Sequence, residues 1–319
     1  MKLPFKSALV TGGAGFIGSH LVEALVDAGC RVRVYDNLSS GDAANLEHLE
    51  GQFSLYEADI RDREKLEAAL DGCELVFHLA AIVSVPRTVE DPIGSADVNE
   101  TGSLIVLDAS RRAGVKRVVF SSSCAVYGDD PRLPKRENMA PKPLSPYAVQ
   151  KLAAEYHAKA FYDLYGLETT ALRYFNVYGP RQDPSSPYSG VISIFMTKAL
   201  MEEPAVIYGD GNQSRDFIFV RDVVKANLLA ASAKNANGQV INIGSGRPVR
   251  INDLWQAIGA LSGRSRDPQY AGKRPGDIVA SLAGMQKAKA LLGFDCEVSF
   301  EKGLETTFEW YRSRRSEVR

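Results

Sequence analysis

Short runs of β-branched and apolar residues alternate with longer amphipathic stretches through the first half of the chain. Ser7–Thr11, Arg31–Tyr35, Phe53–Glu57, Glu74–Leu79 and Arg117–Ser121 read as strands. Phe16–Ala28, Asp62–Leu70 and a long segment near Ile93–Ala113 read as the helices between them. This alternation predicts βαβ units around a parallel sheet with helices on both faces, a doubly wound α/β (Rossmann) architecture. After Ser145, the residues Val149, Leu152, Ala153, Tyr156, Ala160 and Leu164 recur at three- and four-residue spacing. They predict a helix with one apolar stripe, stopped by Gly166 and followed by a strand over Glu168–Tyr174.

Beyond Asn176 the texture changes: Gly179-Pro180 and the run Gln182–Tyr188 are loop-like, and later elements are shorter. Arg215–Ala233 and Gln239–Ile243 still resemble the first half and are expected to return to the sheet. The chain is therefore expected to form a nucleotide-binding domain from residues 1–175 plus 215–243, and a smaller C-terminal α/β substrate lobe from 176–214 plus 244–319. No internal repeat is visible.

Bulk properties narrow the function classes. A net charge of −1 over 319 residues, with 45% hydrophobic and 24% charged residues, gives no electrostatic footprint for nucleic acid or a membrane surface. No run approaches the about 18 apolar residues of a bilayer span, and MKLPFKSALVTGG passes directly into a strand and a glycine turn. Cys30, Cys73, Cys124 and Cys296 lack paired spacing, and the four histidines are scattered. No metal site or disulfide framework is expected, and a reducing, cytoplasmic setting fits. The basic ending, with Arg312, Arg314, Arg315 and Arg319, suits a solvated helix end.

Between the first strand and the first helix stands Thr11-Gly12-Gly13-Ala14-Gly15-Phe16-Ile17-Gly18. Glycines at 12, 15 and 18 permit a tight turn, close approach of a pyrophosphate to the backbone, and close helix–strand packing. The phosphates of a dinucleotide would then meet the free N–H groups of a helix N-terminus. Asp36 closes the second strand, where a carboxylate accepts from the adenosine ribose hydroxyls and repels a 2′-phosphate; this favours NAD over NADP. The alternative for Asp36 is an ordinary turn acid in YDNLSSG.

Tyr147 and Lys151 stand four apart on the strongest helix, on one face. The spacing alone is no more than chance would give, and the chemistry supplies its meaning. A tyrosine near its reference pKa of about 10 is a poor base at neutral pH, and a neighbouring ammonium and an oxidised nicotinamide both favour its phenolate. The preceding strand ends in Ser121-Ser122-Ser123, at the strand end where a doubly wound sheet places its ligand, so a serine hydroxyl can hold a substrate hydroxyl beside Tyr147.

With these motifs in hand, the chain resembles the extended short-chain dehydrogenase/reductases, and among them the UDP-hexose 4-epimerases. The resemblance runs from Ala8 to about Tyr311. It rests on TGGAGFIGSH, YDNLSSG, Ala58-Asp59-Ile60, HLAA (His78–Ala81), FSSSCAVYG (Phe120–Gly128), SPYAVQK (Ser145–Lys151), LRYFNVYGPRQDP (Leu172–Pro184), YGDGNQSRDFIFV (Tyr208–Val220) and RPGD (Arg274–Asp277). It implies that Gly12, Gly15, Phe16, Ile17, Asp36, Asn37, Leu38, Ser39, Ser40, Gly41, Asp59, Ile60, Ala80, Ala81, Asn99 and Phe175 line NAD. Lys151 would also hold the nicotinamide ribose, with Tyr174 and Tyr147 near the nicotinamide. Ser123, Tyr147 and Lys151 become the catalytic group.

The same resemblance gives the UDP part to Asn176, Val191, Tyr208 (stacked on uracil), Arg215, Arg274 and Asp277, and the sugar to Ser84, Ser122, Ser123, Tyr147 and Ser281. Guanidinium groups match a diphosphate bidentately; the competing roles for Arg215 and Arg274 are internal pairs with Asp216 and Asp277. The activity implied is C4 epimerisation of a UDP-sugar through a 4-keto sugar, with NAD retained, in a homodimer joined through the Ile93–Ala113 and Ser145–Tyr165 helices.

Ala80–Val85 carries no basic residue, unlike some glucose/galactose members. Ser84 and the serine at 281, where a tyrosine would narrow the pocket, resemble members that accept N-acetylated sugars. Ser281 could instead merely open a turn. Two relatives of the same fold remain as alternatives: a UDP-glucuronate epimerase or decarboxylase, and a 4,6-dehydratase. The latter is disfavoured because Cys124-Ala125 follows Ser123 where that family has Asp-Glu. From another class, a catalytically inactive NAD-binding regulator would have lost Ser123, Tyr147 or Lys151, and all three are present.

Overall fold

A computed structural model describes residues 3–183, 190–263, 266–273 and 278–317. Its first half runs β1 (Ser7–Thr11), α1 (Phe16–Asp27), β2 (Arg31–Asp36), β3 (Phe53–Glu57), α2 (Arg63–Leu70), β4 (Leu75–His78), α3 (Val85–Glu90), α4 (Pro92–Ala96), α5 (Ser103–Arg112), β5 (Arg117–Ser123), α6 (Pro146–Tyr165) and β6 (Glu168–Tyr174). The remainder is β7 (Asn176–Tyr178), α7 (Val191–Met201), β8 (Val206–Tyr208), β9 (Ser214–Phe219), α8 (Val220–Ser232), β10 (Gln239–Ile243), β11 (Pro248–Arg250), α9 (Ile251–Ser262), β12 (Gln269–Ala271), α10 (Gln286–Leu292) and α11 (Phe300–Glu317).

Seven strands form one parallel sheet in the order β10-β6-β5-β4-β1-β2-β3. This is the doubly wound class expected from the alternating pattern. The strand order reverses between β1 and β4, which opens a crevice at their C-terminal ends where such sheets bind ligands. One apolar layer packs α1, α8 and α10 on the sheet through Leu21, Leu25, Val223, Ala230 and Leu292. The opposite layer packs α2, α5 and α6 through Leu66, Leu70, Val106, Ala158 and Phe161. A third cluster, with Phe195, Trp255, Leu254, Phe308 and Tyr311, joins α7, α9 and α11 to β7 and β9.

Three expectations need correction. Gln239–Ile243 does return to the sheet, as edge strand β10, but the strand within Arg215–Ala233 does not. β9 belongs to a separate three-stranded sheet, β11-β9-β7, and only its following helix α8 packs on the main sheet. An apolar strand signal does not say which sheet receives it.

The Ile93–Ala113 helix is interrupted by a π-turn at Asp97–Gly102 between α4 and α5. There the Ser103 hydroxyl donates to the Asn99 carbonyl, and a side chain at Gly102 would strike Ile60.

The third correction concerns α6. It starts as expected, with the Ser145 hydroxyl accepting from Ala148 N–H, Pro146 in the first turn and Gly166 left-handed at the end. Its stripe of Val149, Tyr156 and Leu164, however, is 48%, 63% and 73% exposed. The face against the sheet is instead Ala148, Lys151, Ala154, Glu155, Ala158 and Phe161. Small and polar residues win that face because the helix lies close over the ends of β5 and β6, where a polar site must be built.

Candidate active site

The first turn sits at the C-terminal end of β1. Gly15 begins α1 with no capping side chain, which leaves the helix N-terminus open to an anion. Gly12 is left-handed (φ 69°), and a side chain there would collide with the Ala80 backbone. A Cβ at Gly18 would come within 2.0 Å of the Gly12 carbonyl oxygen. The turn is therefore packed on both sides at glycine's minimum size.

Asp36 ends β2 buried beside this turn. Its carboxylate accepts from Ala14 N–H at 3.0 Å and Leu38 N–H at 2.9 Å. Burial raises its pKa while these two donors oppose the rise, and both oxygens keep a lone pair for ribose hydroxyls. Gly41 lies directly over it, since a Cβ there would come within 2.9 Å of a carboxylate oxygen. Asn37 donates to Asp59 at 3.0 Å, and Arg61 holds the Asp59 carboxyl down to about 2. Ile60 is buried under the same rim, and Ser39 and Ser40 are exposed along it. An open helix N-terminus beside a two-oxygen acceptor fits a dinucleotide of the NAD type.

A buried histidine ties this edge together. The Ser103 hydroxyl donates to the Asn99 carbonyl, so it must accept from His78 Nε2–H at 2.9 Å; His78 Nδ1 then accepts from the Thr11 hydroxyl at 2.7 Å. Burial drives the His78 pKa down to about 3, with the nearby Lys151 charge adding to the effect, so the ring is neutral and this tautomer is fixed by its partners. The Thr11 oxygen also accepts from Ala80 N–H. Asn99 clamps the next turn, accepting from Ile82 N–H at 2.8 Å and donating to Ile82 O and to Gln150 Oε1.

Across the crevice, β5 ends at Ser123 and α6 crosses above it. Burial pushes the Tyr147 phenol up to about 12, with the nearby Ser123 hydroxyl opposing the rise and the Cys124 thiol adding to it. Lys151 lies beneath with Nζ 6.0 Å from the centroid of the Tyr147 ring, donating to the Ser121 carbonyl at 2.9 Å. Burial lowers its pKa to about 8, and the Glu155 charge works against that fall.

On β6, Phe175 follows the strand into the core. Tyr174 points away from Tyr147, its hydroxyl bonded to Asn227 on α8 at 2.9 Å. Alternation along a strand explains this, because its neighbour Arg173 faces α6.

The second half supplies the other wall. Asn176 opens β7 and donates to the Asp216 carbonyl. Tyr208 ends β8, its carbonyl accepting from Gln213, and Val191 opens α7. Asp216 is not the partner of Arg215. Its fully buried carboxylate accepts from Ser245 N–H, the Ser245 hydroxyl, Gly246 N–H and Ala283 N–H, while Arg215 donates to Ser214 O.

This hub holds the strand-like segment carrying Ser281 through Ala283, and the Ser281 N–H donates to Ser214 O at 3.0 Å. That donation brings the buried Ser281 hydroxyl against the Cys124 thiol, next to Ser123. Ser84 caps α3 through Arg87 N–H, and Ser122 donates to Glu155. Arg274 and Asp277 lie outside the described residues.

Motif reading missed His78, Cys124, Glu155 and Asp216 as parts of the site. Glu155 had a signal, since it stands four residues beyond Lys151 on the same helix face. The roles of His78 and Asp216 depend on partners 25 to 67 residues away. No group of metal-ligating side chains occurs among the described residues, and no helix among them is long and apolar enough to cross a membrane.

A dinucleotide-binding α/β sheet with a tyrosine–lysine pair at its switch point defines a class of NAD-dependent proteins that act on small molecules. Comparison with known proteins is specific within it. Residues 8–244 match the NAD dependent epimerase/dehydratase family. The UDP-glucose 4-epimerase of Mycolicibacterium smegmatis is 39% identical over 310 residues, covering 96% of this chain and 98% of that one. The UDP-N-acetylglucosamine 4-epimerase of Methanobrevibacter ruminantium, solved in complex with UDP-N-acetylmuramic acid, is 43% identical with a TM-score of 0.94 over 98% of this chain and 100% of that chain. The UDP-glucose 4-epimerase of Thermotoga maritima, solved with UDP-glucose, is 42% identical with a TM-score of 0.92 over 97% and 99%. The chain belongs to the NAD dependent epimerase/dehydratase family, and NAD is its cofactor.

Proposed function

We propose that this protein epimerises a UDP-hexose at C4 through a 4-keto sugar, accepting UDP-N-acetylglucosamine and UDP-N-acetylgalactosamine as well as UDP-glucose and UDP-galactose. The observation that carries the reading is Tyr147 on α6 beside Ser123 at the C-terminal end of β5, with the Lys151 ammonium 6.0 Å from the centroid of its ring. Bound NAD supplies the hydride acceptor and donor. Tyr147, held toward its phenolate by Lys151, takes the proton of the sugar 4-hydroxyl and later returns it to the opposite epimer. Ser123 orients that hydroxyl.

In this reading Asn176, Val191, Tyr208, Arg215, Arg274 and Asp277 hold UDP, and Ser84, Ser122 and Ser281 border the sugar. Residues 176–214 plus 244–319 then act as the substrate lobe. Anchoring through UDP leaves the keto sugar free to turn, because the binding contacts lie away from the reacting carbon. The names of related proteins carry both plain and N-acetylated sugars, and the small Ser281 leaves room for a 2-acetamido group. Dehydration is disfavoured because Cys124, held up at about 12 by burial, cannot act as the acid that eliminates water.

The exposed apolar residues Ile93, Leu104, Val149, Tyr156 and Leu164 on α4, α5 and α6 support a homodimer through these helices. Incubation with a panel of UDP-sugars without added NAD, followed by NMR of the products, tests the activity. C4 epimers of the supplied sugars are expected; unchanged sugars, or decarboxylated or dehydrated products, would overturn it.

A further inference from the structure

The polar groups behind the Tyr147–Lys151 pair form a connected set. Tyr147, Lys151 and Glu155 fall at four-residue intervals on the face of α6 that meets β5 and β6. Glu155 and Arg173 are both buried, and they form a bidentate ion pair, Nε to Oε1 at 2.8 Å and a terminal nitrogen to Oε2 at 2.7 Å. The Ser122 hydroxyl donates to the same Oε1. The Arg173 guanidinium lies 4.8 Å from the centroid of the Tyr127 ring, whose hydroxyl donates to Asn242 at 2.7 Å. Ser122 and Tyr127 lie on either side of Ser123 in the chain, so the pair grips both flanks of the turn that presents this hydroxyl.

A buried ion pair is weak evidence for stability, because desolvation offsets much of its attraction and well-packed apolar residues often serve as well. Its placement one helical turn behind Lys151 calls for another account. The groups facing Lys151 are Tyr147 and Glu155 on α6, the neutral His78 on β4, and the Ser121 carbonyl and Phe120 ring on β5; Arg173 on β6 lies behind Glu155. Among these groups the one carboxylate is Glu155, a helical turn from Lys151 on the same face of α6.

We propose that Glu155 is a positioning residue for the catalytic group: clamped by Arg173 and Ser122, its carboxylate keeps Lys151 charged beneath Tyr147 while holding the end of β5 against α6. The inference rests on the assignment of Tyr147 and Lys151 given above. Burial already disfavours the Lys151 ammonium, and removing the neighbouring negative charge disfavours it further. The form with a charged lysine then disappears at lower pH.

The test is kcat against pH, from about 6 to 10, for wild type and Glu155→Gln on a UDP-sugar that the wild type turns over. The alkaline fall in kcat should begin roughly one pH unit lower in the variant, a loss of about tenfold on that limb, with KM and bound NAD within about twofold of wild type. A merely structural role lowers activity without moving the limb, so superimposable profiles overturn the proposal. If Glu155→Gln does not fold, Arg173→Gln carries the test in the opposite sense: with the paired guanidinium gone the Glu155 carboxylate acts on Lys151 undiminished, so the alkaline limb should move up, and an unmoved limb overturns the proposal. Failure of both to fold makes the pair a folding element and also overturns it. Tyr147→Phe separates the two levels of argument. Wild-type turnover in that variant removes the site assignment itself, whereas an inactive Tyr147→Phe beside an unshifted Glu155→Gln profile removes only the role of Glu155.

Discussion

Tyr147 carries opposing influences in one side chain. Burial pushes its phenol up to about 12, while the Ser123 hydroxyl favours the ionised form. A base for neutral pH therefore requires the Lys151 charge and the cofactor beside it. Tyr147→Phe should purify with NAD rather than NADP still bound, assayed enzymatically on heat-released nucleotide, and should lose about 10²–10⁴-fold in kcat. Retention of more than about a tenth of wild-type kcat would remove Tyr147 from its role. Ser281, buried against Cys124, is the second residue with a sharp consequence. Tyrosine there adds bulk to a packed wall, and overpacking costs about 1–3 kcal/mol. Ser281→Tyr should therefore cut kcat/KM on UDP-N-acetylglucosamine by at least about tenfold and spare UDP-glucose; equal losses on both sugars would mean a folding defect.

Among the elements, β1, β4 and the π-turn are joined by the Thr11–His78–Ser103–Asn99 chain, and this linkage has a pH signature. The His78 pKa falls from 6.5 to about 3 on folding, and that of His20, half-buried against the Pro180 carbonyl, to about 4. The unfolded chain thus binds more protons than the folded one below pH 6.5. Stability is complete above that pH and is lost progressively as pH falls toward 3. Thermal melting between pH 7 and 4.5 should show a steep decline for wild type and a shallower one for His78→Gln, although that variant starts lower at pH 7. Equal slopes would place the acid sensitivity elsewhere.

For the molecule as a whole, the outward face of α4, α5 and α6 is the feature that a single chain leaves unexplained. Ile93 at 83% and Leu164 at 73% exposure sit on helices whose inner faces are already packed. Scattered apolar side chains are normal on a surface, whereas a row across neighbouring helices is what the proposed dimer would cover. The double variant Tyr156→Glu/Leu164→Glu should shift the sedimentation profile from dimer to monomer without changing the far-UV circular dichroism. A wild-type protein that sediments as a monomer at micromolar concentration would remove the dimer.

Local pattern alone determined the strands β1 to β6, the glycine turn, the acid at the end of β2 and the tyrosine–lysine face of α6. Each of these is encoded within a few residues by side-chain period, backbone freedom or spacing along a helix. Tertiary structure decided which side of α6 is inside, and it reversed the expectation: the bulky stripe faces out because the polar site claims the face against β5 and β6. It also sent β9 to a second sheet, turned Tyr174 toward Asn227, and directed Asp216 to Ser245 and Ala283 rather than to Arg215. These outcomes depend on partners far apart in the chain. A buried carboxylate or hydroxyl takes whichever donors the packing of distant segments brings within about 3 Å, and nothing in the adjacent sequence specifies them.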